Sequence, residues 1–278
     1  MSAPTAGDVI GGKWRIVRPA FGDEPGSEFR VEPTGGGTPR RLSLWRTLRA
    51  PASAELAHFG DVVRTGERTG NPAFLPVEDV GYDTAREALW MVREWRNGES
   101  LPSALGGLHP IGLDLPILRS LTEQLAEALA AAHGVGVAHG RLRPSRLLVT
   151  QTSRGVRLSV LDLGLESFRR EDGQERLRAP RVGAAYLAPE LEHSGPVRPS
   201  ADVFSFGLIV RDLLATRRDG AWKGRWEHWV QRTTAPNPHE RFGSIPDAVR
   251  ALVPVLKSLP DPFVAPPSNY EPGGPPRD

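Results

Sequence analysis

The chain is predicted to be an α+β protein of two unequal parts, a small β-rich lobe followed by a larger, mainly helical one. Three observations predict it. Residues 12–98 hold short β-like runs between Gly- and Pro-rich turns. From Leu118 onward, apolar residues recur at intervals of three and four, the period of a helix burying one face. The length of 278 residues, 39% hydrophobic and 24% charged, suffices for one large core or two small ones.

In the first lobe the β-like runs are residues 14–17, 29–31, 41–45 and 89–92, interrupted by one helical stretch at about 53–68. In the second, Leu118, Leu121, Leu125, Leu129 and Ala132 define a long helix. Another begins near Ser200, an N-cap after Pro199, and carries Val203, Phe206, Val210, Leu213 and Leu214. Further helices are expected over about 222–233 and 245–256. Residues 257–278 hold seven prolines and almost no aliphatic pattern, and read as a disordered tail. The expected organisation is an N-terminal extension over 1–11, a domain over 12–256 divided near residue 96, and the tail.

Composition removes several function classes. The absence of cysteine excludes disulfides, thiol catalysis and thiolate metal sites. The net charge of +2 and short Arg doublets such as Arg40-Arg41 and Arg169-Arg170 do not form a nucleic-acid-binding arm. Only Lys13, Lys223 and Lys257 of the 35 basic residues are lysines. No apolar run approaches the ~18–20 residues of a membrane helix, and the N-terminus lacks a basic-then-apolar signal. A soluble cytoplasmic protein is expected. Besides His139, the histidines at 58, 109, 133, 193, 228 and 239 are scattered without metal-ligand spacing.

Five segments, in order, carry a resemblance. They are Val137-Ala138-His139-Gly140-Arg141-Leu142-Arg143-Pro144-Ser145-Arg146, Leu161-Asp162-Leu163-Gly164, Tyr186-Leu187-Ala188-Pro189-Glu190, Ser200-Ala201-Asp202-Val203-Phe204-Ser205-Phe206-Gly207, and Asn237-Pro238-His239-Glu240-Arg241-Phe242. Over about residues 12–256 the chain resembles the bacterial eukaryotic-like (Hanks-type) Ser/Thr protein kinase domain. The resemblance implies a two-lobed protein-kinase-like fold. It assigns His139, Gly164, Glu190, Asp202 and Arg241 to architecture, with Glu190 and Arg241 forming a buried pair and Asp202 capping backbone near the catalytic loop.

Phosphoryl transfer is mostly positioning and electrostatics, so each missing charge matters. The family's catalytic-loop Asp is Arg141 here, a donor that cannot accept a proton. Arg143 keeps the charge of the loop Lys, and Arg146 replaces the metal-holding Asn. Trp45 stands where the third-strand Lys would grip phosphates, and shares a strand face with Ser43. The glycine loop keeps Gly22, then has Asp23, Glu24 and Pro25, with Gly26 and Ser27 following. Asp61 aligns best with the helix Glu, and Glu67 competes for that role.

Two residues leave alternatives open. Asp162 is either a remaining magnesium ligand or a carboxylate held by Arg141, Arg146 or backbone. Arg93, just before Glu94, falls where an apolar side chain guards the adenine pocket; it either pairs internally with Asp162 or Asp61, or a one-residue register shift leaves it in solvent. The vestigial nucleotide cleft is then Gly22, Gly26, Ser43, Trp45, Arg93, Glu94 and Asp162.

Architectural positions are kept and chemical ones replaced, which implies a pseudokinase: not an enzyme, but a regulatory or scaffolding module. No catalytic residue, metal or cofactor is expected, although ATP could bind without the usual magnesium arrangement. The expected partner is a protein, whether a kinase, a phosphopeptide-binding domain or another signalling protein. The rivals are a nucleotide sensor and a weak, unconventional kinase. Asp162 and Glu190 stand 28 positions apart, with Ser167 the only Ser or Thr between them. Asp202 and Arg241 stand 39 apart, so the substrate-docking helix region is shortened. There Trp222, Trp226 and Trp229 share a helix face that reads either as core or as a partner surface.

Overall fold

A computed structural model describes residues 4–20, 27–108, 115–153, 155–170, 177, 183–192, 195–216 and 226–257. Among them the first lobe is built on a six-stranded antiparallel sheet: β1 (Val9–Ile10), β2 (Trp14–Pro19), β3 (Glu28–Pro33), β4 (Arg40–Arg46), β5 (Val77–Asp83) and β6 (Ala88–Glu94). Their spatial order is β1-β2-β3-β4-β6-β5. The sheet thus takes in Val9 and Ile10, which the sequence reading sets apart as an extension, and Ile10 is fully buried.

Period-two alternation gives this sheet two different faces. Trp14, Ile16, Phe29, Val31, Leu42, Leu44, Trp90 and Val92 form an apolar cluster on one. The residues between them, Glu28, Arg41, Ser43, Trp45, Leu89, Met91 and Arg93, belong to the other. The apolar end of that second face is covered by α1 (Ser53–Val63), which α2 (Thr65–Arg68) follows. The single helix expected over 53–68 is therefore two, broken at Arg64.

After β7 (Glu99–Ser100) and α3 (Leu101–Leu108), the second lobe is organised by α4 (Leu115–Gly134). Its buried residues include Leu118, Leu121, Leu125, Leu129 and Ala132, the stripe read from sequence. Strand β8 (Leu147–Thr152) pairs with β7 on one side and β9 (Gly155–Val160) on the other in a small antiparallel sheet. Helices α5 (Leu165–Arg170), α6 (Pro189–Glu192), α7 (Pro199–Ala215), α8 (Glu227–Thr233) and α9 (Ile245–Lys257) follow.

The N-cap of helix α7 is Arg198, two residues earlier than expected, with Pro199 in the first turn. Proline suits that position because the N–H it lacks has no partner inside the helix. Trp229 settles into the core: its indole donates to the Ala248 carbonyl at 2.7 Å and its ring meets Phe206 edge-on. Trp226 is half-buried against the same core. Trp222 and the tail from 258 lie outside the described residues.

Candidate functional site

The site lies between the lobes, and its loops are anchored from below. Asp202, in the first turn of α7, accepts the N–H of His139 at 2.8 Å and of Gly140 at 2.7 Å. It also meets the His133 ring of α4 at 2.8 Å. His139 in turn bonds the Leu161 carbonyl through Nε2 at 2.9 Å, tying this loop to the segment that bears Asp162. Gly140 has φ +72°, and a Cβ there would meet Val197 at 2.4 Å, so the backbone turns where only glycine fits.

Further out, Arg241 holds Glu190 through two parallel bonds, Nη1–Oε1 at 2.7 Å and Nη2–Oε2 at 2.8 Å. It also donates to the carbonyls of Ala235, Ser200 and Pro236. A planar fork fully used in this way is what makes a buried Arg–carboxylate pair tolerable.

Asp162 sits on the turn before α5 with φ +66°, a left-handed conformation that costs a non-glycine residue free energy. Both its oxygens face arginines. Arg93 Nη2 donates to Oδ1 at 2.8 Å, and Arg146 Nε stands 3.2 Å from Oδ2. Arg93 is 3% exposed, so it pairs internally, and with Asp162 rather than Asp61. Burial alone would raise the Asp162 carboxyl; Arg146 and Arg93 outweigh it and hold the group well below the usual carboxylate range.

Arg146 belongs to the tight turn Pro144–Arg146 and also reaches the other lobe. Its Nη1 donates to Glu28 Oε1 at 3.0 Å. Glu28 is 2% exposed and accepts, on its other oxygen, Ser43 Oγ at 3.0 Å and Arg41 Nη1 at 3.3 Å. Ser43 in turn accepts from Arg93 Nη2 at 2.8 Å. Burial depresses the Arg41 guanidinium, partly offset by Glu28.

A second carboxylate, Glu166 of α5, gathers its own arginines. Arg169 grips it through Nε and Nη2 at 2.9 and 2.7 Å, Arg170 adds a bond, and Arg141 Nη1 lies 3.7 Å away. Burial pushes the Glu166 carboxyl up, but Arg169, Arg141 and Arg170 draw it below its ordinary value. Arg141 is thus directed at Glu166, and burial lowers its own guanidinium. Arg143 is buried on the same wall. Between these groups and Trp45 a cavity of about 30 Å³ remains, room for about two waters.

Trp45 points into the cleft as expected, half-buried, and packs edge-to-face on Phe59 of α1 with ring centroids 6.0 Å apart. That corrects the helix assignment. Asp61 is exposed, and Glu67 accepts the Val77 N–H at 2.8 Å. An aromatic contact occupies the place where the family resemblance implies a Lys–Glu pair. Glu94 is exposed; Gly22 and Gly26 lie outside the described residues. Gly164, at φ +80°, lets the chain pass α1, where a Cβ would meet Val62 at 2.9 Å.

Sequence reasoning missed Glu28, Phe59 and Glu166. Glu28 stands just before the β-like run read at 29–31, on the same strand face as Arg30. Its signal was the register opposite Ser43, which only strand pairing supplies.

The profile of the protein kinase domain family matches residues 77–228, more than half of the chain. The chain belongs to the protein kinase family. The serine/threonine-protein kinase pkn2 of Myxococcus xanthus is 29% identical over 216 residues, covering 75% of this chain and 25% of pkn2. PknA of Mycobacterium tuberculosis, also a serine/threonine-protein kinase, is 24% identical over 283 residues, covering 98% of this chain and 62% of PknA. The chain therefore spans a quarter to under two thirds of these relatives. The crystal structure of the Mycobacterium tuberculosis PknI kinase domain shares the fold at a TM-score of 0.67, with 21% identity, over 91% of this chain and all of that domain.

These relatives correct one expectation. The sequence reading takes the chain not to be an enzyme, but it belongs to a family whose matched members are named serine/threonine-protein kinases. Substitutions of single residues do not by themselves place it outside that activity. The two-lobed kinase fold and the bacterial Ser/Thr kinase relationship stand. Among the described residues no helix is long and apolar enough to cross a membrane.

The family implies ATP and magnesium, and the donor set around Asp162 does not suit the metal. Both Asp162 oxygens and both Glu28 oxygens already face guanidinium groups, and Arg146 brings positive charge where a hydrated cation needs oxygen ligands. No three His, Asp or Glu side chains gather as a metal cluster among the described residues.

Proposed function

We propose that this chain is a cytoplasmic regulatory or scaffolding domain of bacterial Ser/Thr kinase signalling that acts by binding another signalling protein, a kinase or a phosphopeptide-binding domain. The observation that carries this reading is the placement of Arg146 between Glu28 and Asp162, which fills the cleft with the protein's own charges. The architectural contacts of His139, Asp202, Glu190 and Arg241 remain in place around it, and a maintained frame around a self-filled cleft suits recognition. A nucleotide, where one binds, does so without the usual magnesium arrangement. Phosphoryl transfer, the activity its relatives are named for, would be weak and would use groups other than a loop Asp, Asn and strand Lys.

The test is thermal denaturation of the purified chain with ATP, with and without magnesium, beside a phosphate-transfer assay and affinity capture from its own cells. A melting temperature unmoved by ATP, together with a captured signalling protein, is the expected result. A shift with ATP alone would instead favour a nucleotide sensor. Efficient transfer, abolished by Asp162→Asn, would replace this reading with that of an unconventional kinase.

A further inference from the structure

Five side chains of the cleft close into a ring. Glu28 meets Arg146, Arg146 meets Asp162, Asp162 meets Arg93, Arg93 meets Ser43, and Ser43 returns to Glu28. Three of them stand on the sheet of the first lobe and two on loops of the second. The ring therefore crosses between lobes twice, at Glu28–Arg146 and at Arg93–Asp162, and all five residues are buried.

We infer that this ring is an interlobe latch, holding the two lobes closed with no nucleotide or divalent cation between them. The inference rests on the reading of the cleft as filled by its own charges, and adds what that filling does. Two-lobed clefts ordinarily close by hinge motion around a bound ligand. Here the opposite charges that such a ligand would bring are already supplied by the chain. In a buried site they attract more strongly than in water, and salt screens them little.

Charge alone would be a weak latch, because opening would let water solvate the freed ions. An apolar seam supports it. Phe168 of α5, 1% exposed, packs against Phe59 and His58 of α1. Leu177 joins the same cluster and bridges the backbone at Thr47, just after β4. Segments following Asp162 are thus packed into the first lobe on one side of the ring.

The lack of cysteine permits a direct test. Leu48→Cys and Val135→Cys, at exposed positions one on each lobe, take a pair of spin labels. Pulsed electron-resonance distances on the full chain should give one narrow distribution, unmoved by saturating ATP with or without magnesium and by high salt. Glu28→Gln combined with Arg93→Met should broaden it. Should that double variant fail to fold by circular dichroism, Glu28→Gln alone serves, since it removes one charge and little volume. A broad distribution in the unliganded parent, one that nucleotide narrows, or a narrow one that survives loss of the ring would each overturn the latch. The parent measurement decides even where no variant folds. Failure to capture a partner would leave these distances unchanged, so the two readings fail separately.

Discussion

Arg93 Nη2 lies 2.8 Å from Asp162 Oδ1, joining the last residues of β6 to the left-handed turn that opens α5. The two residues are 69 positions apart in sequence, and neither has appreciable contact with water. Asp162 is therefore a counter-ion before it is anything else, and its titration should show it.

A carboxyl depressed in the folded state adds stability above its unfolded value of about 3.9 and loses it as pH falls toward the folded value. Asp162 is such a group. Urea unfolding should show stability maintained from pH 7 to 5 and declining below about pH 4. Asp162→Asn should lower stability at pH 7, because Arg93 and Arg146 lose their partner, and should flatten the acid decline. An equally steep decline in the variant would assign acid sensitivity to other carboxylates.

The Arg241–Glu190 pair is braced by three carbonyls that accept from the same guanidinium. Arg241→Met strands all of them along with a largely buried carboxylate, a loss of about 3–5 kcal/mol. The denaturant midpoint should fall with little change in slope. A shift under about 1 kcal/mol would mean that water replaces the pair at low cost.

Restoring the family's lysine should not restore its chemistry. Trp45→Lys removes an aromatic contact with Phe59 and sets the new cation in a cleft whose carboxylates, Asp162 and Glu166, are already held by arginines. The expected cost is about 2 kcal/mol for a half-buried ring, read by urea unfolding, with no gain in ATP affinity by calorimetry. Tight ATP binding by this variant would show that Trp45 alone blocks the cleft.

Phe168 holds α5 against α1, and Arg169 and Arg170 beside it are trypsin sites drawn inward by Glu166. Phe168→Ala should cost about 3 kcal/mol and speed cleavage after these arginines well before the rest of the chain is cut. Uniform acceleration across the chain would point to global unfolding instead.

The sequence by itself determined the two-lobed kinase frame and its braces. These were legible because each stands inside a recognisable motif: a glycine where φ is positive at 164, a carboxylate at 202 that caps the loop at 139–140, and an acid and an arginine at 190 and 241. It also left Arg93 either with one of two acidic partners, because a buried guanidinium requires one, or in solvent after a register shift. Only the tertiary structure decided that Asp162 is that partner, that Glu28 reaches Arg146 across 118 positions, and that Phe59 rather than Asp61 faces Trp45. Strand register and helix rotation set those meetings, and both are fixed by packing against segments far away in the chain.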